Sequence, residues 1–290
     1  MKIVVSDNME KEAVEMLKEL GEVVYRPENL EGALKDADVL VVRSATKVTR
    51  ELIEKGEKLK AVGRAGVGID NIDVKACEEK GIKVINTPGA SSNAVAEIVL
   101  GVTISMLRNV QKAYLQMKKG EWRKKELVGK EISGKVLGIV GFGRIGHLIA
   151  EKADALGMKV IAYDPRKKES DFVEFFSLDE LYGKSDVITL HTILVPETKN
   201  MINSESISKM KEGAYIVNFA RGELIDEDAL YEACKKGKIA GAALDVYQSE
   251  PYKGKLLELD NVYFTPHIGG STKEAQFRIG EELVEKLKKL

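Results

Sequence analysis

Cysteine is almost absent. Cys77 and Cys234 are the only two in 290 residues, and their separation fits neither a metal-ligand spacing nor a disulfide framework, which suits a reducing cytoplasm. Histidine is nearly as scarce, so a general acid or base of the imidazole type has only three candidates, His147, His191 and His267. Neither sign of charge dominates: Lys and Arg number 45 against 46 Asp and Glu. That balance removes any general reason to expect nucleic acid or an anionic membrane as a partner, and local clusters such as Arg123, Lys124 and Lys125 read as a solvated helix face. No apolar run is long enough to span a bilayer, and the first residues enter strand-like sequence with no signal peptide. Glutamine occurs only four times while charged residues, mostly Lys and Glu, reach 31%. Such a bias fits a thermophilic source.

What is present centres on residues 135–147. An apolar run over Val136–Val140 reads as a buried strand, Gly141, Gly143 and Gly146 follow in the spacing G-x-G-x-x-G, and apolar residues then recur at helical intervals as far as a stop at Gly157. Strand, glycine turn and helix in that order suit a dinucleotide. The first glycine permits the tight turn, the second lets backbone approach a pyrophosphate, and the third lets helix pack on strand. The helix N-terminus adds free N–H groups and partial positive charge. A second apolar run ends in Asp164, eighteen residues after Gly146. A carboxylate there can accept from both ribose hydroxyls and repel a 2′-phosphate, which favours NAD over NADP. Arg166, Lys167 and Lys168 follow closely and keep NADP in view.

The rest of the chain alternates short apolar strands with helical stretches, the signature of parallel, doubly wound sheets. Residues 1–95, completed by a C-terminal helix over 269–290, form one expected domain, and residues 96–268 a second, Rossmann-type dinucleotide-binding domain. The fold class is α/β, with two doubly wound parallel-sheet domains. Residues 91–118 read as one long helix, and 118–134 as an exposed polar arm in which Trp122 is a packing or subunit-contact anchor.

Ligands in open α/β sheets bind at the carboxyl ends of the strands. In the first domain those ends carry Arg43 and Ser44, the turn from Arg64 through Val67 and Gly68, and the turn 86–89. In the second they carry Gly141, Asp164, His191 and Thr192, Ala220 and Arg221, Asp245, and Pro266 and His267. A shared core requirement would not gather these types on one edge, so that edge is the expected active site. His267 lies between a proline and two glycines, and Glu250 on an upstream turn could reach its ring. An imidazole beside a carboxylate is held in one tautomer and suits reversible proton transfer to a carbonyl or alcohol oxygen. Arg221 offers a planar fork for a carboxylate. For His147 and His191 the ordinary readings are solvent exposure near a pyrophosphate and a satisfied, half-buried ring. No cluster has metal-ligand spacing.

Over essentially its whole length the chain resembles the D-2-hydroxyacid dehydrogenase family. The resemblance rests on the glycine loop with Asp164, on Asn218, Phe219, Ala220, Arg221 and Gly222, on Ala243, Leu244, Asp245 and Val246, on Glu250 and Pro251, and on Pro266, His267, Ile268, Gly269 and Gly270. It implies Arg221, Glu250 and His267 as catalytic residues. It also implies cofactor contacts from Arg144 and Ile145 to the pyrophosphate, and from Asp245, Phe219, Ala220, Gly269 and Gly270 to the nicotinamide. The substrate would lie between the domains, its carboxylate meeting Arg221 and the backbone of Val67 and Gly68. Thr192 stands in the family's His-x-Pro turn, where Ile193 replaces the usual proline, so the adenosine pocket departs from the pattern. The resemblance also suggests a homodimer formed through the long helix and the arm.

Three stretches, 41–47, 63–71 and 271–276, are similar in particular to the branch of the family that oxidises D-3-phosphoglycerate at the head of serine biosynthesis. That branch implies a phosphate site at Arg43, Ser44 and Arg64. An arginine of the arm adds to it, Arg123 being the nearest match at a shifted spacing. No regulatory domain follows residue 290, so serine feedback is not expected. A general glyoxylate or hydroxypyruvate reductase would use the same trio without needing Arg43 and Arg64. A non-enzymatic NAD-sensing scaffold shares the fold and stands as the third alternative.

Overall fold

The structure, a computed structural model, describes residues 1–166 and 169–290. Lys167 and Lys168, two of the three charges following Asp164, lie outside the described residues. The chain folds into two compact units, one made of Met1–Ala94 with Gly270–Leu290 and the other of Val95–Gly269. Both are α/β.

In the first unit, β1 (Lys2–Val5), α1 (Lys11–Lys18), β2 (Glu22–Tyr25), α2 (Leu30–Leu34), β3 (Val39–Val42), α3 (Arg50–Glu54), β4 (Ala61–Arg64), α4 (Val74–Glu79) and β5 (Lys83–Asn86) alternate in order. The side chains of Asn29, Thr49 and Asp73 cap α2, α3 and α4 by accepting from the N–H groups of Gly32, Leu52 and Ala76. Each thereby satisfies a donor the first helical turn would leave open. The five strands form a parallel sheet in the order β2-β1-β3-β4-β5. The middle strand β3, Val-Leu-Val-Val, is buried on both faces, as an all-apolar run in a covered parallel sheet should be. The order reverses between β1 and β3, which makes their carboxyl ends a switch point where a ligand can enter.

Two helices follow, α5 (Ser92–Leu107) and α6 (Val110–Lys118). The single helix expected over 91–118 is in fact broken, with a bend of 66°. Asn109 takes a left-handed conformation at φ 54°, which Asn tolerates better than most residues. The arm docks at the break: Lys130 donates to the Leu107 carbonyl at 2.8 Å and Asn109 to the Val128 carbonyl at 3.3 Å. Apolar periodicity continues through the break and hides it from sequence. No single helix among the described residues is long and apolar enough to cross a membrane.

The second unit continues with β6 (Val136–Val140), α7 (Arg144–Ala155), β7 (Lys159–Tyr163), β8 (Glu174–Phe175), α8 (Leu178–Lys184), β9 (Val187–Leu190), α9 (Ser204–Lys209), β10 (Ala214–Asn218), α10 (Glu227–Lys236), β11 (Ile239–Leu244) and β12 (Val262–Phe264). The final helix, α11 (Lys273–Leu287), returns to the first unit, where it packs on α1 so closely that Gly280 faces Ala13. The parallel sheet of the second unit has the order β12-β11-β10-β9-β6-β7-β8, with its switch point between β6 and β9. The short β8 and the helix α8 are additions to the sequence reading. The signal for α8 was present, because Ser177 and Glu180 form a reciprocal capping box at its start.

Candidate active site

The glycine loop sits at the switch point of the second sheet. Gly141 has φ 94°, and a Cβ there would lie 2.6 Å from the His191 carbonyl oxygen, so both backbone angle and space demand glycine. A Cβ on Gly146 would strike the carbonyl oxygen of Gly141, the close contact that seats α7 on β6. Gly143 is different: beyond its own chain neighbours, nothing among the described residues lies within 4 Å of where its Cβ would be. The backbone before the helix is therefore bare and open, and Arg144 and Ile145 begin the helical turn behind it. That cradle fits the pyrophosphate of a dinucleotide. Asp164, at the end of β7, has a side chain only 3% exposed. Its carboxylate accepts from the Phe142 N–H at 3.0 Å and from the Arg166 N–H at 3.0 Å. The structure thus brings Asp164 to the loop, and Thr192 lies beside Gly141 as well.

The three histidines separate by environment. His147 is exposed and meets Phe142 and Phe172 edge-on at 5.7 and 6.0 Å. The His191 ring sits 2.7 Å from Thr189 Oγ1, and burial pushes its pKa down to about 3. It is neutral at any ordinary pH and cannot deliver a proton there. Among the described residues, only His267 of the three faces a carboxylate: its Nδ1 lies 2.9 Å from Glu250 Oε2. The pair is about two-fifths exposed, open enough to meet a ligand. His267 has φ 54°, and the Glu250–Pro251 peptide is cis.

The loop carrying His267 is fastened from below by Asp245, which is 1% exposed. Its Oδ1 accepts from Thr265 Oγ1 at 2.6 Å and from the Ile268 N–H at 2.7 Å, and its Oδ2 accepts from the Gly269 N–H at 2.7 Å. Gly269 lies against both Asp245 and Phe219. At the end of β10, Asn218 folds the turn by accepting from the Ala220 N–H at 3.1 Å and donating to the Arg221 carbonyl at 2.8 Å. Arg221 follows that turn and donates to the Ala220 carbonyl at 2.6 Å. A Cβ on Gly222 would overlap the backbone of Tyr247 and Gln248, so the loop of Arg221 rests directly on the segment leading to Glu250. Phe219, Ala220, Arg221, Asp245, Glu250, His267 and Gly269 are therefore held in one network. Thr265 and Tyr247, both part of it, carried no separate sequence signal beyond their place beside the motifs.

In the first unit, Arg43 and Arg64 stand at neighbouring strand ends, since Val42 pairs with Arg64. Asp7, just beyond β1, organises this edge: its Oδ2 accepts from the N–H groups of Arg43 at 2.6 Å and Thr46 at 3.2 Å, and its Oδ1 from Thr46 Oγ1. Asn71 donates to the carbonyls of Arg43 and Thr46. Arg43 is half-buried and Ser44 exposed. Burial draws the Arg43 guanidinium below its usual pKa against the opposing charges of Asp7 and Glu10. Arg64 folds over Gly66, where a Cβ would collide with the guanidinium. The Val67 carbonyl accepts from Asn86 at 2.7 Å, and Gly68 follows in the same turn. Gly270 packs on Ser91. Arg123, in the arm of the other unit, is committed to Glu121 at 2.6 Å and Glu126 at 3.4 Å. Asp7 was not singled out from the sequence, although it too lies at a strand end, and Asn71 stood there only as the last residue of the stretch 63–71, with no role assigned.

Residues 100–269 match the family model described as D-isomer specific 2-hydroxyacid dehydrogenase, NAD binding domain. A hydroxypyruvate reductase of Thermotoga maritima is 52% identical, over 98% of this chain and 96% of its own length. A D-3-phosphoglycerate dehydrogenase of Methanocaldococcus jannaschii is 51% identical over the whole of this chain, which spans only 57% of that relative. Among solved structures, a D-lactate dehydrogenase of Aquifex aeolicus complexed with NAD and lactic acid superposes with a TM-score of 0.88 at 36% identity, covering 99% of this chain and 94% of its own. The open glycine cradle, the acid at the end of β7 and these likenesses agree, and the chain belongs to the D-2-hydroxyacid dehydrogenase family of NAD-dependent enzymes.

Proposed function

We propose that the enzyme interconverts D-3-phosphoglycerate and 3-phosphohydroxypyruvate. The observation that carries the phosphate is the pair of guanidinium groups, Arg43 and Arg64, on adjacent strand ends with Ser44 beside them. A dianion needs forked, charged donors, and Arg43 is a half-buried cation beside the switch point of its sheet. In this reading the first unit binds substrate, with Val67 and Gly68 offering backbone. Arg123, already paired within its own arm, has the least support among the phosphate contacts.

NAD, when bound, supplies the hydride acceptor. Gly141, Gly143, Arg144, Ile145 and Gly146 would hold its pyrophosphate, Asp164 and Thr192 its adenosine half, and Phe219, Ala220, Asp245, Gly269 and Gly270 its nicotinamide. His267 takes the hydroxyl proton of the hydroxy acid, or returns it to the keto acid. Glu250 fixes the ring through Nδ1 and supports the imidazolium, while Arg221 grips the carboxylate and polarises the carbonyl. A second copy of the chain is the proposed cover for Tyr114, Met117, Trp122 and Val128, which are 61, 55, 79 and 83% exposed. Light scattering at a monomer mass would refute that cover.

Reduction of hydroxypyruvate is a second reading, favoured by the relative of that name that matches nearly end to end. Following NADH absorbance with 3-phosphohydroxypyruvate and with hydroxypyruvate separates the two. The phosphate reading expects a preference of roughly 10²-fold or more in kcat/KM for the phosphorylated acid, lost on Arg43→Gln. Equal rates, or a preference for hydroxypyruvate, assign the second reading. No turnover of either acid overturns both.

A further inference from the structure

The acid–base pair proposed above is formed by two side chains on different loops, Glu250 after β11 and His267 after β12. Their 2.9 Å contact needs those loops held in register, and one residue touches both of them. The Tyr247 N–H points at Glu250 Oε1 from 3.3 Å, leaving Oε2 for the imidazole. The Tyr247 phenol reaches the other way, to the Thr265 carbonyl at 2.7 Å and the Leu244 carbonyl at 2.9 Å. Leu244 O is the last carbonyl of β11, and it also accepts the Thr265 N–H at 3.0 Å. Thr265 O in turn accepts the N–H of His267 at 3.0 Å. The phenol thus pins the carbonyl around which the chain turns to present His267 in its left-handed conformation. The Tyr247 backbone also carries Gly222, next to Arg221, pressed against it.

The ring itself is packed. Tyr247 is 8% exposed and stacks on Tyr252 at 4.5 Å, with Phe264 beside both. Burial pushes the phenol pKa up, so the hydroxyl keeps its single hydrogen and shares it between the two carbonyls. A hydrophobic ring would fill this space equally well, so packing gives no reason for a hydroxyl. Its use is to join the ends of two strands.

We infer that Tyr247 is a positioning residue for the reaction, its backbone N–H aligning Glu250 and its hydroxyl fixing the turn of His267. The inference rests on the Glu250–His267 reading of the site. Tyr247→Phe keeps the ring stack and removes only the hydroxyl. Expected is a loss of about 3- to 10-fold in kcat, the order a single net hydrogen bond supplies, with NADH affinity by fluorescence titration unchanged within about twofold. The titration also reports that the variant is folded. The control is Tyr252→Phe, whose hydroxyl bonds to Glu227 at 3.2 Å and not to the pair; it should stay within about twofold of the parent.

The deciding experiment repeats Tyr247→Phe in a Glu250→Gln background, using whichever of hydroxypyruvate and 3-phosphohydroxypyruvate the enzyme turns over faster. If Tyr247 acts through the pair, its effect should nearly vanish there, because coupled residues do not add. An equal loss in both backgrounds, or no loss in the parent, overturns the inference while Glu250→Gln still slows the enzyme. If Glu250→Gln alone leaves kcat intact, the acid–base reading falls, and this inference with it.

Discussion

At the scale of single residues the site separates groups that are chemically alike. Three imidazoles sit near strand or helix ends in the second unit, yet among the described residues only His267 is placed against a carboxylate. Its φ of 54° makes asparagine the natural probe, because Asn tolerates that conformation and cannot exchange a proton. His267→Asn should lower kcat by roughly 10²–10⁴ while NADH still quenches or enhances fluorescence as in the parent. Retained turnover would refute the assignment of the acid. Arg221→Lys tests the other half of the chemistry. A lysine keeps the charge but not the fork, so the Michaelis constant for the keto acid should rise along with a slower turnover. If the constant stays put, the carboxylate is held elsewhere. The sequence displayed His267, Glu250 and Arg221 because their neighbours are the glycines and prolines that shape loops. It did not display Tyr247, whose aromatic ring in an apolar stretch looks like core until its hydroxyl is seen between two carbonyls.

At the scale of elements, the strand–loop–helix from β6 to α7 shows how three glycines in one motif answer to different constraints. Gly146→Ala would drive a methyl into the Gly141 carbonyl and should reduce stability by about 1–3 kcal/mol, as overpacking does. Gly143→Ala meets nothing within 4 Å beyond its chain neighbours among the described residues and loses only its place at the helix N-cap, about 1 kcal/mol. Its methyl stands where the pyrophosphate should approach, so NADH affinity should fall tenfold or more, an effect of about 1.4 kcal/mol. Denaturant melts and NADH titrations of both variants check the contrast; a Gly143→Ala enzyme that binds NADH normally would move the cofactor away from this loop. This element was legible because backbone angle at Gly141 and close backbone approach at Gly146 each admit only glycine, and their fixed spacing shows in the sequence. The break between α5 and α6 was not, since the apolar pattern runs through it and the arm that docks there comes later in the chain. Of the two elements after β7, one was legible: the capping box of α8 at Ser177 was written in the sequence, but the two-residue β8 is too short to leave a pattern.

At the scale of the whole molecule, alternation of strand and helix was enough to foresee two parallel sheets, because an all-apolar strand such as β3 can be buried only under helices on both faces. What alternation could not reveal was how tightly the second sheet encloses a group that would rather be charged in acid. His191 follows β9, half-buried, with its Nε2 2.7 Å from Thr189 Oγ1, its Nδ1 buried without a hydrogen-bond partner among the described residues, and its pKa lowered from 6.5 to about 3 by burial. In the unfolded chain the same ring binds a proton near pH 6.5. Between about pH 6.5 and pH 3 the unfolded state therefore holds a proton that the folded state refuses. This contribution to stability is intact above pH 6.5 and declines on acidification by about 1.4 kcal/mol per pH unit until the folded ring itself protonates. His191→Gln removes the titration. Whatever that variant loses at neutral pH, its further loss between pH 7.5 and pH 5 should be smaller than the parent's by about 2 kcal/mol. Urea unfolding followed by circular dichroism at the two pH values measures the difference, and equal losses in both proteins would mean that the imidazole opens to water well before the fold gives way.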